Sequence, residues 1–153
     1  MRRLLKKNLR TFINTYPPLL GAGIKVTRIS PDYREVDVEM KLRYWNANYV
    51  GTHYGGSLYS MCDPFYMLML IENLGPDYIV WDKAASIRFR KPGRGTVKAQ
   101  FRLAAEVIEE VRRAADTQPK HEPVFTVEVK DETGEIVAEV QKTIYVKKKP
   151  AAT

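Results

Sequence analysis

Residues able to do chemistry are concentrated between Asn48 and Pro64. The stretch reads Asn48-Tyr49-Val50-Gly51-Thr52-His53-Tyr54-Gly55-Gly56 and then, seven residues past the second glycine, Asp63. Asp63 lies inside an apolar run, where a carboxylate is costly to bury unless it has a partner or a purpose. Pro64 follows it and has no N–H to give the carbonyl four residues back, so a bend is expected there, freeing a backbone carbonyl beside the acid. Gly55 and Gly56 stand where the run begins. Free N–H groups at a helix start, with the positive end of the helix dipole, stabilise a developing oxyanion, and glycine leaves room for a reacting group to approach. Blander alternatives stand beside these: a tight helix entry for the glycines, a turn residue in Asn48, and an Asp63 that faces a subunit seam and only accepts a hydrogen bond.

The apolar run predicts a helix over 56–74. Leu58, Tyr59, Met61, Cys62, Phe65, Tyr66, Met67, Leu68, Met69, Leu70, Ile71 and Leu74 fall on every side of a helical wheel, so the helix is expected to be buried all round. At about 1.5 Å rise per residue, Asp63 sits roughly 10 Å into it. Ser60, Asp63, Pro64 and Glu72 leave the uninterrupted part far short of the roughly 17–25 residues of a bilayer span. The helix therefore belongs in a protein interior, wrapped by the rest of the chain.

Around it the pattern alternates helix and strand. Leu5, Leu9, Phe12, Ile13 and Tyr16 predict an amphipathic N-terminal helix over 1–17, ended by Pro17-Pro18, and packed on its own domain rather than on a membrane surface. Gly23 opens a strand with Ile24 and Val26. Val36, Val38, Met40, Leu42 and Tyr44 alternate with Asp37, Glu39, Lys41 and Arg43, a strand with one wet face. Residues 78–91 read as a third strand with Ala85, Ile87 and Phe89 on one face. A fourth carries Val97, Ala99, Phe101 and Leu103, and a short helix is expected over 104–116. Two last strands, Val124 to Lys130 and one with Ile136, Ala138, Val140, Ile144 and Val146, flank the Asp131–Gly134 turn. Lys147, Lys148 and Lys149 fall in a tail, 147–153, expected to be frayed. Tight turns between strand pairs argue for an antiparallel sheet with one apolar face, filled by the single greasy helix.

A chain of 153 residues with 44% hydrophobic and 28% charged residues fits one globular domain spanning 1–153. A single cysteine, Cys62, excludes an internal disulfide and a thiolate metal cluster, and two histidines are too few for a zinc site, so no metal is expected. The basic N-terminus lacks the apolar core of a secretory signal, making the cytoplasm the default location. A formal net charge of +7 favours anionic partners, but no nucleic-acid reader motif accompanies it.

With element order and motif together, the chain resembles the hotdog-fold acyl-CoA thioesterases of the phenylacetate-degradation and human thioesterase-superfamily type. Those usually read Asn-x-x-Gly-x-x-His-Gly-Gly-x6-Asp; here the match is Asn48, Gly51, Gly55, Gly56 and Asp63. Gly55–Pro64 and Trp81-Asp82-Lys83 also resemble an uncharacterised branch of that superfamily. The implied fold is α+β, a curved antiparallel sheet of five to six strands around a central helix.

The resemblance implies that the Gly55 N–H polarises a thioester carbonyl and that Asp63, contributed by the opposite subunit, activates water or attacks directly. Asn48 would help hold the water or carbonyl, with Gly56 in support. At least a homodimer follows, or a dimer of dimers, with an acyl-CoA as substrate and no cofactor. Tyr54 stands where those proteins carry histidine, with His53 one position earlier; tyrosine can donate a hydrogen bond but does not titrate near neutrality. Asp82 and Ser86 occupy the region where some relatives place a water-positioning serine, against a structural role for each. Arg88, Arg90, Lys91 and Arg94 would meet the coenzyme A phosphates, against a solvated strand edge protected by its charges. A non-catalytic acyl or acyl-CoA binding module is the alternative function.

Overall fold

The computed structural model describes residues 8–150. Its first elements are two short helices, α1 (Leu9–Thr15) and α2 (Pro17–Ala22), which meet at the extended residue Tyr16. The proline pair ends the first helix as expected but also opens a second. Proline at a first helical position forfeits only an N–H that has no partner there anyway. Gly23, at φ 77°, closes α2 in the left-handed conformation before β1 (Ile24–Ile29) begins. The Asn14 side chain donates to the Val26 carbonyl (3.0 Å) and accepts from its N–H (2.8 Å), docking α1 on this strand. The expected helical positions before residue 8 lie outside the described residues.

Strand β2 (Glu35–Lys41) buries Val36, Val38 and Met40, as its alternation predicts. It stops before Leu42 and Tyr44, and Tyr44 is exposed. The reason is tertiary. The buried Asn46 side chain accepts from the Arg43 N–H (2.7 Å) and donates to the carbonyls of Lys41 and Ala22 (3.0 Å each), turning the chain out of the sheet.

The helix expected over 56–74 is two helices, α3 (Gly55–Ser60) and α4 (Phe65–Leu74). Between them the Cys62 N–H bonds to Tyr59 (2.8 Å) and the Asp63 N–H to Ser60 (3.4 Å), a tightened turn, and the Pro64 carbonyl then starts α4 by accepting from Leu68 (3.0 Å). Asp63 thus lies in the break rather than on a helix wall. No residue of α4 is exposed. Phe65 and Tyr66 pack on Phe101, with ring centroids at 4.9 and 5.2 Å.

Strands β3 (Tyr78–Phe89), β4 (Thr96–Arg102), β5 (Val124–Lys130) and β6 (Ile136–Lys148) complete a six-stranded sheet in the order β1-β2-β4-β5-β6-β3. All neighbours run antiparallel. Helix α5 (Ala105–Thr117) buries Ile108, Val111 and Ala115, and its Arg112 donates to the Asn73 and Leu74 carbonyls (2.9 and 3.2 Å), capping α4. This is the curved sheet around a buried helical segment, the α+β hotdog arrangement. No helix among the described residues is long and apolar enough to cross a membrane.

Two further segments depart from their sequence patterns. Lys147 and Lys148 are not frayed. They belong to β6 opposite Ile79 and Tyr78, and the Lys149 N–H continues the ladder to Asp77 (2.8 Å). Strand β3 also has no inward apolar face over 85–89: Ala85 and Phe89 are exposed and Ile87 is half-buried. It is one of the sheet's two edge strands, paired only with β6, and a register shift between Asp82 and Ala84 breaks its alternation.

Candidate active site

The inner face of β6 runs Ala138, Val140, Lys142, Ile144, Val146, all buried, so a lysine occupies a position where the period of two calls for an apolar side chain. Lys142 is 0% exposed. Its ammonium donates to Asp63 Oδ1 (2.7 Å) and to the Tyr59 hydroxyl (3.2 Å), and lies 2.9 Å from Asp82 Oδ1. The Asp82 contact is an ion pair without hydrogen-bond alignment, since that buried oxygen has no directed partner. Tyr59, one helical turn before Asp63, also donates to Asp63 Oδ1 (2.7 Å).

Burial by itself would push the Lys142 pKa down, but its hydrogen bond to Asp63, its ion pair with Asp82 and its hydrogen bond to Tyr59 outweigh burial and hold it above the ordinary lysine value. It is a cation at any working pH. Burial pushes the Asp82 carboxyl up, against the pull of Lys142. The Tyr59 phenol is raised by burial and then by its bond to Asp63. Cys62, next to Asp63, is fully buried and its thiol is pushed up to about 12, so it is not a nucleophile.

Two hollows flank this cluster. Asp63 and Tyr59 line an apolar groove of about 410 Å³ between α1–α2 and the central helices, walled by Phe12, Tyr16, Leu19, Met67 and Leu68. The Asp63 side chain is 45% exposed. Asp82, Ser86, Tyr59 and Lys142 line a second hollow of about 490 Å³ along the exposed β3 edge.

Gly55 belongs to neither. It lines a third cleft, about 410 Å³, with Asn48, His53, Phe89, Arg90 and Lys91. As the first residue of α3, Gly55 has no intrahelical acceptor for its N–H, and no side chain caps this end. A Cβ on Gly55 would lie 2.9 Å from the Phe89 ring, and one on Gly56 would lie 2.6 Å from the Tyr54 ring, so both glycines admit an aromatic side chain. Tyr54 thus lies over Gly56.

Asn48 is fully engaged within its own loop. Oδ1 accepts from the N–H groups of Val50 (3.1 Å) and Thr52 (3.0 Å), and Nδ2 donates to Thr52 Oγ1 (2.9 Å) and the His53 carbonyl (3.3 Å). His53 is buried, with Nε2 3.0 Å from the Gly95 carbonyl. A carbonyl only accepts, so Nε2 carries the proton and Nδ1 is left buried without a partner. Burial lowers the His53 pKa, with the Gly95 bond opposing, and the ring is neutral.

The four basic residues differ. Lys91 is held by Asp131 (2.6 Å) and by Glu135. Arg90 lies 3.6 Å from Glu139, and Arg94 donates to the Gly51 carbonyl at 3.4 Å. Arg88 is exposed on β3. The sequence-derived positions therefore form two groups. Asp63 gathers with Asp82 beside Lys142 and Tyr59, with Ser86 on the adjoining hollow, while Asn48, His53, Gly55, Arg90 and Lys91 share another cleft. Lys142 escaped the sequence reading, although the gap it leaves in the β6 alternation was its signal.

The chain belongs to the family described as a domain of unknown function, DUF4442, whose model matches residues 6–146. A search of curated proteins finds no match. Among solved structures, a Pseudomonas aeruginosa protein of unknown function, described as a probable thioesterase, is 22% identical with TM-score 0.83, covering 93% of this chain and 95% of that one. A Haemophilus influenzae thioesterase is 14% identical, TM-score 0.67, covering 93% and 90%. A mutant of the phenylacetic acid degradation protein PaaI from Thermus thermophilus is 23% identical, TM-score 0.60, covering 84% and 97%. At such identities the likeness establishes the fold.

Proposed function

We propose that the chain is an acyl-CoA thioesterase, with Asp63 as general base. The observation that carries this reading is the setting of Asp63: a half-exposed carboxylate, held at one oxygen by Tyr59 and Lys142, on the wall of an apolar groove. A volume of about 410 Å³ falls in the small-molecule range of about 300–1,000 Å³. The acyl group lies in the groove. Asp63 takes a proton from water, the water oxygen bonds to the thioester carbon, and the carbonyl electron pair moves onto oxygen. The tetrahedral intermediate then collapses, the C–S bond breaks, and the thiolate takes up the proton, leaving a carboxylic acid and free coenzyme A.

The oxyanion needs donors, and Gly55 offers its free N–H. Gly55 and Asp63 line different clefts within one chain, so the proposed active unit is a homodimer in which each subunit supplies half of a site. The open β3 edge offers the pairing surface. Arg88, Arg90 and Arg94 are assigned to the coenzyme A phosphates; Lys91, already held by two carboxylates, is the weaker candidate.

A second reading, binding without turnover, is favoured by the full engagement of Asn48 and by Tyr54 in place of histidine. Thiol release from short, aromatic and long acyl-CoAs, compared with Asp63→Asn, separates the two. Hydrolysis that collapses in a folded Asp63→Asn variant supports the thioesterase; activity untouched by it refutes the assigned base. Saturable binding without thiol release favours the binding module.

A further inference from the structure

We infer that Lys142 is a positioning residue that selects the reacting oxygen of Asp63, with Asp82 as its counter-charge; the inference rests on the thioesterase reading above. Three observations carry it. First, the fold has no need of a lysine at this place. Its neighbours on the β6 inner face are Val140 and Ile144, and burying an ion cluster gives little stability compared with apolar packing of the same volume. Second, both donors converge on one atom. Tyr59 and Lys142 each lie 2.7 Å from Asp63 Oδ1, from α3 on one side and β6 on the other, which fixes the carboxylate plane and leaves Oδ2 to act in the groove. Third, Asp82 sits 2.9 Å from the same ammonium, on the β3 side.

One cation shared by two carboxylates pulls on each less than it would on one alone. The titratable groups that face Lys142 are Tyr59 from α3, Cys62 and Asp63 from the break before α4, and Asp82 from β3. Removing either charged partner therefore has an opposite effect on Asp63. Without Lys142 the acid limb of kcat/KM moves to higher pH; without Asp82 it moves to lower pH.

The test uses the full chain. With a substrate in hand, Lys142→Met is expected to lower kcat roughly 10²-fold, the order seen when a reacting group is misplaced by about 1 Å, with KM nearly unchanged. Lys142→Arg recovers part of the loss, and Lys142→Met costs nothing further in an Asp63→Asn background. A lysine that served only the fold would lower thermal stability and leave the pH limb in place. Asp82→Asn keeps both the shape and the cation, so the limb remains readable even where Lys142→Met does not fold. Identical pH profiles for wild type and Asp82→Asn overturn the inference. A measurement independent of turnover accompanies these: the side-chain ammonium NMR signal of Lys142, identified by its loss in Lys142→Arg, should shift or broaden in Asp63→Asn. A signal indifferent to Asp63→Asn overturns the inference. If wild type hydrolyses no acyl-CoA, the thioesterase reading fails, and the ammonium signal alone decides whether Lys142 holds Asp63.

Discussion

Replacing Gly55 by alanine separates a packing role from a chemical one. Gly55 does not have a positive φ, so alanine strains no backbone there. The difficulty is space. The new methyl would lie 2.9 Å from Cζ and 3.2 Å from Cε1 of Phe89, against a comfortable carbon–carbon separation of about 3.5–4.0 Å, so the ring has to retreat by about 0.6 Å or more. Phe89 is 57% exposed and ends the edge strand, which lets it turn outward. An off-rotamer ring costs of order 0.5–1.5 kcal/mol. Alanine returns about 0.5–1 kcal/mol over glycine in a helix. The two nearly cancel, so stability should change by no more than about 1 kcal/mol, or roughly 2–4 °C in Tm for a chain of this size.

Activity should not be spared. Alanine keeps the N–H assigned to the oxyanion, but its methyl sits beside that donor and obstructs the approach of the carbonyl; an oxyanion donor put out of reach lowers kcat by up to about 10²–10³-fold. Thermal unfolding and thiol release on the same preparation read both quantities. Adding Phe89→Ala to Gly55→Ala should remove the ring conflict and leave the activity loss in place. A stable Gly55→Ala enzyme with wild-type kcat would refute the oxyanion assignment. An activity loss that Phe89→Ala cures would make Gly55 a packing residue only.

Other expectations test the surroundings of the site. Asn48→Ala strips four hydrogen bonds from the 48–53 loop and should cost about 1–3 kcal/mol by urea unfolding, whereas an Asn48 important only to catalysis would leave the midpoint unmoved. His53 has a folded-state pKa depressed below 6.5, so below that pH the unfolded chain binds the extra proton more readily and stability is lost as pH falls; His53→Gln should flatten the denaturation midpoint between pH 7.5 and pH 5. Arg90→Ala and Arg94→Ala should raise KM for an acyl-CoA and weaken its dependence on salt, whereas Lys91→Ala, which releases Asp131 and Glu135, should have the smaller effect on KM.

How far the fold could be read in advance depended on whether a local pattern had a single tertiary solution. The Val36–Met40 alternation had one and sits where its period predicts; the apolar run after Gly56 is buried as expected, but as two helices parted at residues 61–64 rather than one. The alternation Ala85, Ile87, Phe89 resembles a core face equally well, yet period marks only which residues share a face, not whether anything covers it. Only the sheet order makes β3 an edge. The early end of β2 at Lys41 is set by Asn46 reaching back to Ala22, a contact between residues 24 apart. At the site, residue types were legible and partners were not. Asp63 stood out as an acid among apolar residues, but the lysine that answers it comes from 79 positions later in the chain. Asn48 matched a motif, and the same carboxamide proved to hold its own loop.

The separation of the two half-sites has a geometric consequence for the proposed dimer. Strand β3 carries Asp82 beside the Lys142 cluster and, seven residues on, Phe89 against Gly55. Along the helical segment Gly55 and Asp63 are themselves eight residues apart, roughly 12 Å at about 1.5 Å per residue, and they face different clefts, so a single thioester carbon does not meet both in one chain. A two-fold, antiparallel pairing of two β3 edges reverses the direction of the second copy, bringing the Phe89 end of one strand toward the Asp82 end of the other. Each resulting site then takes Gly55 from one chain and Asp63 from its partner. Mixing inactive Asp63→Asn with inactive Gly55→Ala should therefore restore activity after subunit exchange. In a mixed dimer one site keeps both native residues and the other has neither. With random exchange half of the dimers are mixed, so recovery should approach about one quarter of the wild-type rate per site. The assay is thiol release before and after the two variants are unfolded and refolded together, with each refolded alone as control. A refolded mixture no more active than its components, despite dimers by light scattering, would mean that Gly55 and Asp63 do not act on one substrate across the subunit boundary.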